Sequence, residues 1–306
     1  MPRRAALPYL VLFAGVLIAS TASIMIRYVQ AAGVPSLSIA AGRLGLAALI
    51  LTPVALARAG GELRGLSRRD LLLALASGTF LAAHFASWIS SLAYTSVASS
   101  AALVSTSPLW VGLASLLIFR ERLGWGALAG IGTTLVGTAL IGLSDSGGSA
   151  QPNPALGNGL ALLGAAAMSG YLLIGRGLSR RLSVLAYIYL VYAAAAVVLL
   201  AAMALAGQGL LGLPPFAYLL LLALAVGPQL LGHTAFNYAL GALSATFVAV
   251  AILGEPIGSA LFALVLFGET FAPLQLAGFV LLLAGILLAS RDERRAEGPA
   301  AAGGEL

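Results

Sequence analysis

The stretch AYTSVASSAALVSTSPLWVGLASLLIFRE, Ala93 to Glu121, decides the fold, because its landmarks return near the C-terminus in the same order. Ser96, Pro108, Glu121, Gly130 and Gly137 are answered by Ser244, Pro256, Glu269, Gly278 and Gly285, each 148 residues on and without a gap. Gly15, Ser20 and Arg27 are answered by Gly164, Ser169 and Arg176 at a spacing of 149. Ungapped agreement of this kind marks a duplication, so one half of the chain is read as a copy of the other.

The medium in which each half folds follows from composition. With 306 residues, 60% of them hydrophobic and 8% charged, and a mean hydropathy of +1.03, the chain has too little polar surface to cover a soluble globule. Its apolar runs are about 20 residues long, the length that crosses a hydrocarbon core of roughly 30 Å, and they lack the period-2 alternation of barrel strands. The fold class expected is therefore an all-α integral membrane protein. Ten spans are predicted, at 8–29, 36–57, 70–93, 96–119, 124–143, 157–176, 184–206, 216–240, 243–267 and 272–290. The Gly-, Ser- and Pro-rich segment 144–156 reads as a linker between a first five-helix repeat, 8–143, and a second, 157–290. Residues 291–306 are charged and then Gly/Ala-rich, and read as a disordered tail. Arg3 and Arg4 ahead of an apolar run resemble a signal peptide, but nine more apolar runs follow, so this is read as a retained first helix.

Five spans per repeat is an odd number, so the second copy enters the membrane from the opposite side and the repeats are inverted around a central cavity. The arginines agree. All but Arg27 and Arg43 of the 16 basic residues fall at the termini or in connections that this topology puts on one side, which places both termini in the cytoplasm of a cell whose inner membrane holds the chain. That clustering between apolar runs also speaks against nucleic acid as the partner of a chain with net charge +6; the lipid bilayer is the partner it implies. With no cysteine and two histidines, thiolate or His-rich metal sites are not expected, nor is a cofactor.

Polar side chains within spans point to the solvated interior, since each is unfavourable in hydrocarbon unless paired or hydrated. The third span carries Ser77, His84, Trp88 and Ser91 on one stripe, and the eighth carries Gln229, His233 and Asn237 at steps of four. These two stripes are expected to face a shared cavity; each histidine alone could equally be an interhelical hydrogen-bonder. Pro108 and Pro256 interrupt the fourth and ninth spans, freeing a carbonyl in each, with Trp110 near the first break. Glu255, beside Pro256, is the one deep carboxylate, and Arg43 in the second span the comparable base. They form either a structural pair or a substrate or proton site. The fifth and tenth spans are almost without polar groups, and Gly126, Gly130, Gly137, Gly278 and Gly285 give them close-packing faces, used within the chain or in a homodimer.

The residues from Ala93 through Ser107-Pro108-Leu109 to Phe119-Arg120-Glu121, with Gly130 and Gly137, resemble the EamA-type repeat of the drug/metabolite transporter superfamily. So do Tyr238-Ala239-Leu240, Gly254-Glu255-Pro256, Phe267-Gly268-Glu269 and Gly278 to Gly285. The resemblance spans roughly Pro8 to Ser290 and implies a ten-helix inner-membrane carrier that exports amino acids, related metabolites or drugs. Arg43 and Glu255 match an arginine and an acid often found in the second and ninth helices of such carriers. Where many relatives have a tryptophan in the first helix, this chain has Ile18-Ala19, so an aromatic substrate is not implied. Glu121 and Glu269 read as anchors or gates at helix ends.

A secondary exporter working by alternating access is thus the expected function. The alternative is a membrane-embedded enzyme using His84, His233 and Glu255 on a lipid-linked substrate, against which stands the absence of metal-ligand and phosphate-cradling motifs. A channel would need rings of charge or carbonyls that one chain does not supply. No Walker-A pattern occurs, so ATP does not drive the process within this chain.

Overall fold

In hydrocarbon every backbone polar group must pair internally, so long apolar runs fold as helices. The computed structural model describes residues 2–117, 124–146, 151–178, 181–240 and 251–297, and among them there are helices and no strand. In chain order these are α1 (Pro2–Ala31), α2 (Ser36–Arg64), α3 (Arg68–Ser91), α4 (Val97–Val104), α5 (Ser107–Leu117), α6 (Trp125–Ser146), α7 (Pro154–Leu178), α8 (Val184–Leu205) and α9 (Pro215–Leu224). A π-helical segment, Ala225–Gly232, joins α9 to α10 (His233–Leu240), followed by α11 (Gly254–Phe267) and α12 (Pro273–Glu297).

Among the described residues, eight stretches are long and apolar enough to cross a membrane, and two shorter apolar helices, Gly254–Phe267 and Pro273–Leu288, follow them. Large apolar side chains such as Leu10, Phe13, Leu49, Val197 and Val265 point outward, as they do where the solvent is lipid. The chain is a multi-pass membrane protein.

Serine caps start three helices: Ser67 accepts from the Asp70 N–H at 3.0 Å, Ser96 from Ser99 at 3.0 Å and Ser183 from Ala186 at 3.3 Å. Proline dictates where the helices break. The expected fourth span is divided into α4 and α5 just before Pro108, and Ser105 and Thr106 turn their hydroxyls back to the carbonyls of Ala101 and Leu103 at the break. Pro256 sits in the first turn of α11, where its missing N–H is tolerated. Pro228 lies inside the π-helical segment, a widening that the sequence reading did not anticipate.

Three boundaries differ from those expected. Helix α6 continues through Ser144, Asp145 and Ser146, and α7 begins at Pro154, so the connection is shorter than 144–156. Helix α12 runs on to Glu297, through a segment rich in the good helix formers Arg, Glu and Ala. Of the duplicated pairs Glu121–Glu269 and Ser96–Ser244, Glu269 and Ser96 are described, whereas Glu121 and Ser244 lie outside the described residues.

Helices α6 and α12 pack on each other along their glycines. A methyl group added at Gly137 would lie 2.6 Å from the Leu282 nitrogen and 2.7 Å from the Gly278 carbonyl oxygen, so only hydrogen fits there. The close-packing faces are thus used within the chain. Helix α3 packs on α7 and α8, α2 on α8, α4 on α7 and α11, and α1 on α10, α11 and the π-helical segment. Ile39, Leu44, Ile89, Leu199, Leu221 and Leu224 fill the core where α2, α3, α8 and α9 meet.

Candidate functional site

The small residues Ala40, Ala41 and Gly42 let neighbouring helices approach α2 closely, and this seals Arg43 inside the protein at 2% exposure. Its Nε donates to the Gln229 side-chain oxygen at 3.0 Å. The guanidinium carbon stands 4.4 Å from the Phe85 ring centroid and 5.9 Å from that of Trp88. An arginine cannot shed its charge, so these aromatic faces and one amide oxygen must replace its hydration. Among the described residues its Nη1 has no hydrogen-bond partner, nor has the indole Nε1 of buried Trp88.

Helix α3 supplies the aromatic wall. His84, four residues before Trp88, stacks on it at 6.0 Å with 19° between the rings and meets Phe85 edge-on at 4.8 Å. Its Nδ1 lies 2.9 Å from the Gly164 carbonyl oxygen on α7. A carbonyl only accepts, so Nδ1 carries the proton and Nε2 is left as an acceptor. Gln229 comes from the π-helical segment and is 1% exposed. Arg43, from a third element, thus links Trp88 of the first expected stripe to Gln229 of the second. The side chains of His233 and Asn237 lie outside the described residues.

The other candidates fall elsewhere. Ser77 sits between α3, α7 and α8, 3.2 Å from the Tyr187 hydroxyl. Ser91 bonds Ser100 at 2.6 Å and its own Trp88 carbonyl at 2.7 Å, tying α3 to α4. Trp110 is half-buried on α5, whose packing partners are α7 and α12. Glu255 is half-buried in the first turn of α11; its backbone carbonyl accepts from Ser20 at 3.1 Å. No hydrogen bond or ion pair to its carboxylate occurs among the described residues.

Three further polar clusters were not legible as such. At the end of the bundle where α1 and α3 finish, Arg27 donates to the carbonyls of Leu92 and Thr95, to Gln151 at 3.0 Å and to Glu269 at 3.5 Å. Both Glu269 oxygens lie 3.1 Å from the Val97 N–H, at the positive start of α4. Gly268, with φ of 64°, makes the turn that aims Glu269 there. Beside it, buried Asp145 receives Asn158 Nδ2 at 2.8 Å, Gln275 Nε2 at 3.1 Å and Ser99 Oγ at 3.2 Å, a carboxylate held by neutral donors. At the other end, Arg181 pairs with Asp70 at 3.0 Å and Glu62 grips Ser183 through its N–H and hydroxyl, both at 2.6 Å. No group of metal-ligating side chains occurs among the described residues.

An apolar groove of about 430 Å³ lies on the outer side between α1, α9 and α11, lined by Met25, Tyr28, Phe216, Phe262 and Leu266 among others. Thr21 is its one hydroxyl apart from the Tyr28 phenol, and it already bonds the Ile18 carbonyl at 2.6 Å. The groove offers a polar ligand little, unlike the Arg43 cluster.

Comparison with known proteins places this arrangement. The chain is 27% identical over 253 residues to a protein of Streptantibioticus cattleyicolor described as a probable terminal-alkyne amino-acid exporter, covering 81% of this chain and 83% of that one. A crystal structure described only as that of a protein superposes with a TM-score of 0.62 at 20% identity, over 96% of this chain and 99% of the other, which shows a shared fold. The model of the EamA-like transporter family matches twice, at residues 6–143 and 155–291, and the chain belongs to that family.

Proposed function

We propose that the chain is a secondary exporter of amino acids or closely related metabolites across the plasma membrane. The observation that carries the reading is the Arg43 cluster: a buried charge with unpaired donors, walled by aromatics, inside a chain that a transporter family matches over both halves. The relative named as a probable amino-acid exporter supports the cargo class. The comparisons point to transport and not to catalysis.

The transport cycle proposed is alternating access between two inverted repeats of five spans, with both termini in the cytoplasm. The packing pattern supports it. Counting α4–α5 as the fourth span and α9–α10 as the eighth, contacts of the third with the sixth are mirrored by the eighth with the first, and of the fourth with the sixth by the ninth with the first. The second also meets the seventh, and the fifth the tenth. For these pairs, exchanging the halves maps one contact onto another, as a two-fold axis relating the repeats would. In this reading Arg27, Glu269 and the start of α4 form a latch that closes the outer end.

Export is tested by counterflow in proteoliposomes: vesicles preloaded with unlabelled neutral amino acids should accumulate labelled ones above the level of protein-free vesicles. Equal uptake by both would refute the reading.

A further inference from the structure

We infer that the Arg43 cluster recognises the carboxylate of an α-amino acid, taken by Nη1 of Arg43 and Nε1 of Trp88. The inference rests on the exporter reading and deepens it by naming the group that is bound.

It starts from the charge of Arg43. Removing a guanidinium from water is strongly unfavourable unless an opposite charge and a full set of hydrogen bonds replace the hydration. Here the direct partners are an amide oxygen and two aromatic rings, none of which carries a negative charge. The Nε donor is taken by Gln229, whereas Nη1 has no partner. The second unpaired donor, the Trp88 indole N–H, belongs to a ring that the same guanidinium faces, so two buried donors without partners share one cluster. Native proteins leave few such groups unpaired, and those that exist call for an explanation. Two donors, one of them charged, match the two oxygens of a carboxylate.

Orientation is supplied by neighbours. His84 is pinned through Nδ1 to Gly164 and stacks on Trp88, which holds the indole in place. It is a positioning residue, acting through Trp88. A cationic drug would leave Arg43 bare, so such drugs are disfavoured as cargo.

The test uses the whole chain in proteoliposomes and, separately, in detergent. Counterflow of a labelled pool of neutral L-amino acids is competed by the same unlabelled pool, by the corresponding carboxamides, which keep the ammonium, and by the corresponding deaminated carboxylates. The amino acids should compete at least about tenfold better than the carboxamides, the scale of one lost charge-assisted hydrogen bond. Trp88→Phe keeps a ring to stack on His84 and removes only the N–H; it should weaken amino-acid competition about tenfold and leave that of the carboxamides unchanged. Carboxamides that compete as well as acids, or a Trp88→Phe protein indistinguishable from wild type, overturn the carboxylate site while export stands. Deaminated carboxylates, which keep the bound group, should compete better than the carboxamides, and the reverse order overturns the carboxylate site. Thermal stabilisation by amino acids without counterflow retains the site and sinks the export reading, and neither effect sinks both.

Discussion

Replacing Glu269 by Gln should open the proposed outer latch of the bundle. The substitution removes a charge whose oxygens sit 3.1 Å from the Val97 N–H at the start of α4 and one 3.5 Å from Arg27. A carboxylate at a helix N-terminus contributes about 0.3–1 kcal/mol when exposed and up to ~2 when partly buried. The ion pair, with side chains 19% and 10% exposed, adds a few tenths to about 1 kcal/mol once solvent screening is discounted. Glutamine keeps one acceptor for Val97, so the net change is about 1–2 kcal/mol, which multiplies the open population about 5- to 30-fold. The readout is Ser91→Cys, a near-isosteric change at a fully buried position below the latch in a chain that has no native cysteine. When opening is fast, labelling by a membrane-impermeant thiol reagent follows the open population. Adding Glu269→Gln to the Ser91→Cys protein should therefore raise its labelling rate by that factor, and adding Arg27→Gln should do likewise. A rate unchanged in both would refute the latch.

Topology can be read with the same chemistry. At exposed positions, Ala32→Cys should react only from outside the cell and Gly65→Cys only from the cytoplasm; reaction of both from one side would refute the orientation proposed. The α6–α12 seam gives a stability test within one helix. Gly137→Ala drives a methyl into backbone atoms at 2.6–2.7 Å and should destabilise by about 1–3 kcal/mol in denaturant titration, whereas Gly132→Ala meets nothing within 4 Å and should gain about 0.5–1 kcal/mol from helix propensity. Equal responses would mean that the glycines do not set the helix spacing.

Much of this architecture was written in local sequence. A span must be apolar for the thickness of the membrane, a property each segment carries without reference to its neighbours, and so α1, α2, α3, α7 and α8 begin within a few residues of their expected starts, except that α1 already includes Pro2. The duplication was legible because both copies keep a proline at a helix start, Pro108 and Pro256, and a glycine in the α6–α12 seam, Gly137 and Gly285. Pro228 was visible too, but whether a proline breaks, kinks or widens a helix depends on what surrounds it, and only the packed structure decides for a π-helical turn. The functional grouping depended on tertiary structure still more. Arg43, Phe85, Trp88 and Gln229 come from three elements, and the sequence named three of these four as candidates without saying that one guanidinium joins them. It left a direct Arg43–Glu255 pair open, and the fold gives the guanidinium Gln229 as its hydrogen-bonding partner. Arg27 and Glu269, 242 positions apart, meet because α1 and α11 pack together and Gly268 turns the chain at the end of α11. Solvent preference acts residue by residue and is therefore legible along a chain, whereas the partner of a buried charge is set by which helices lie side by side, and that is a property of the bundle.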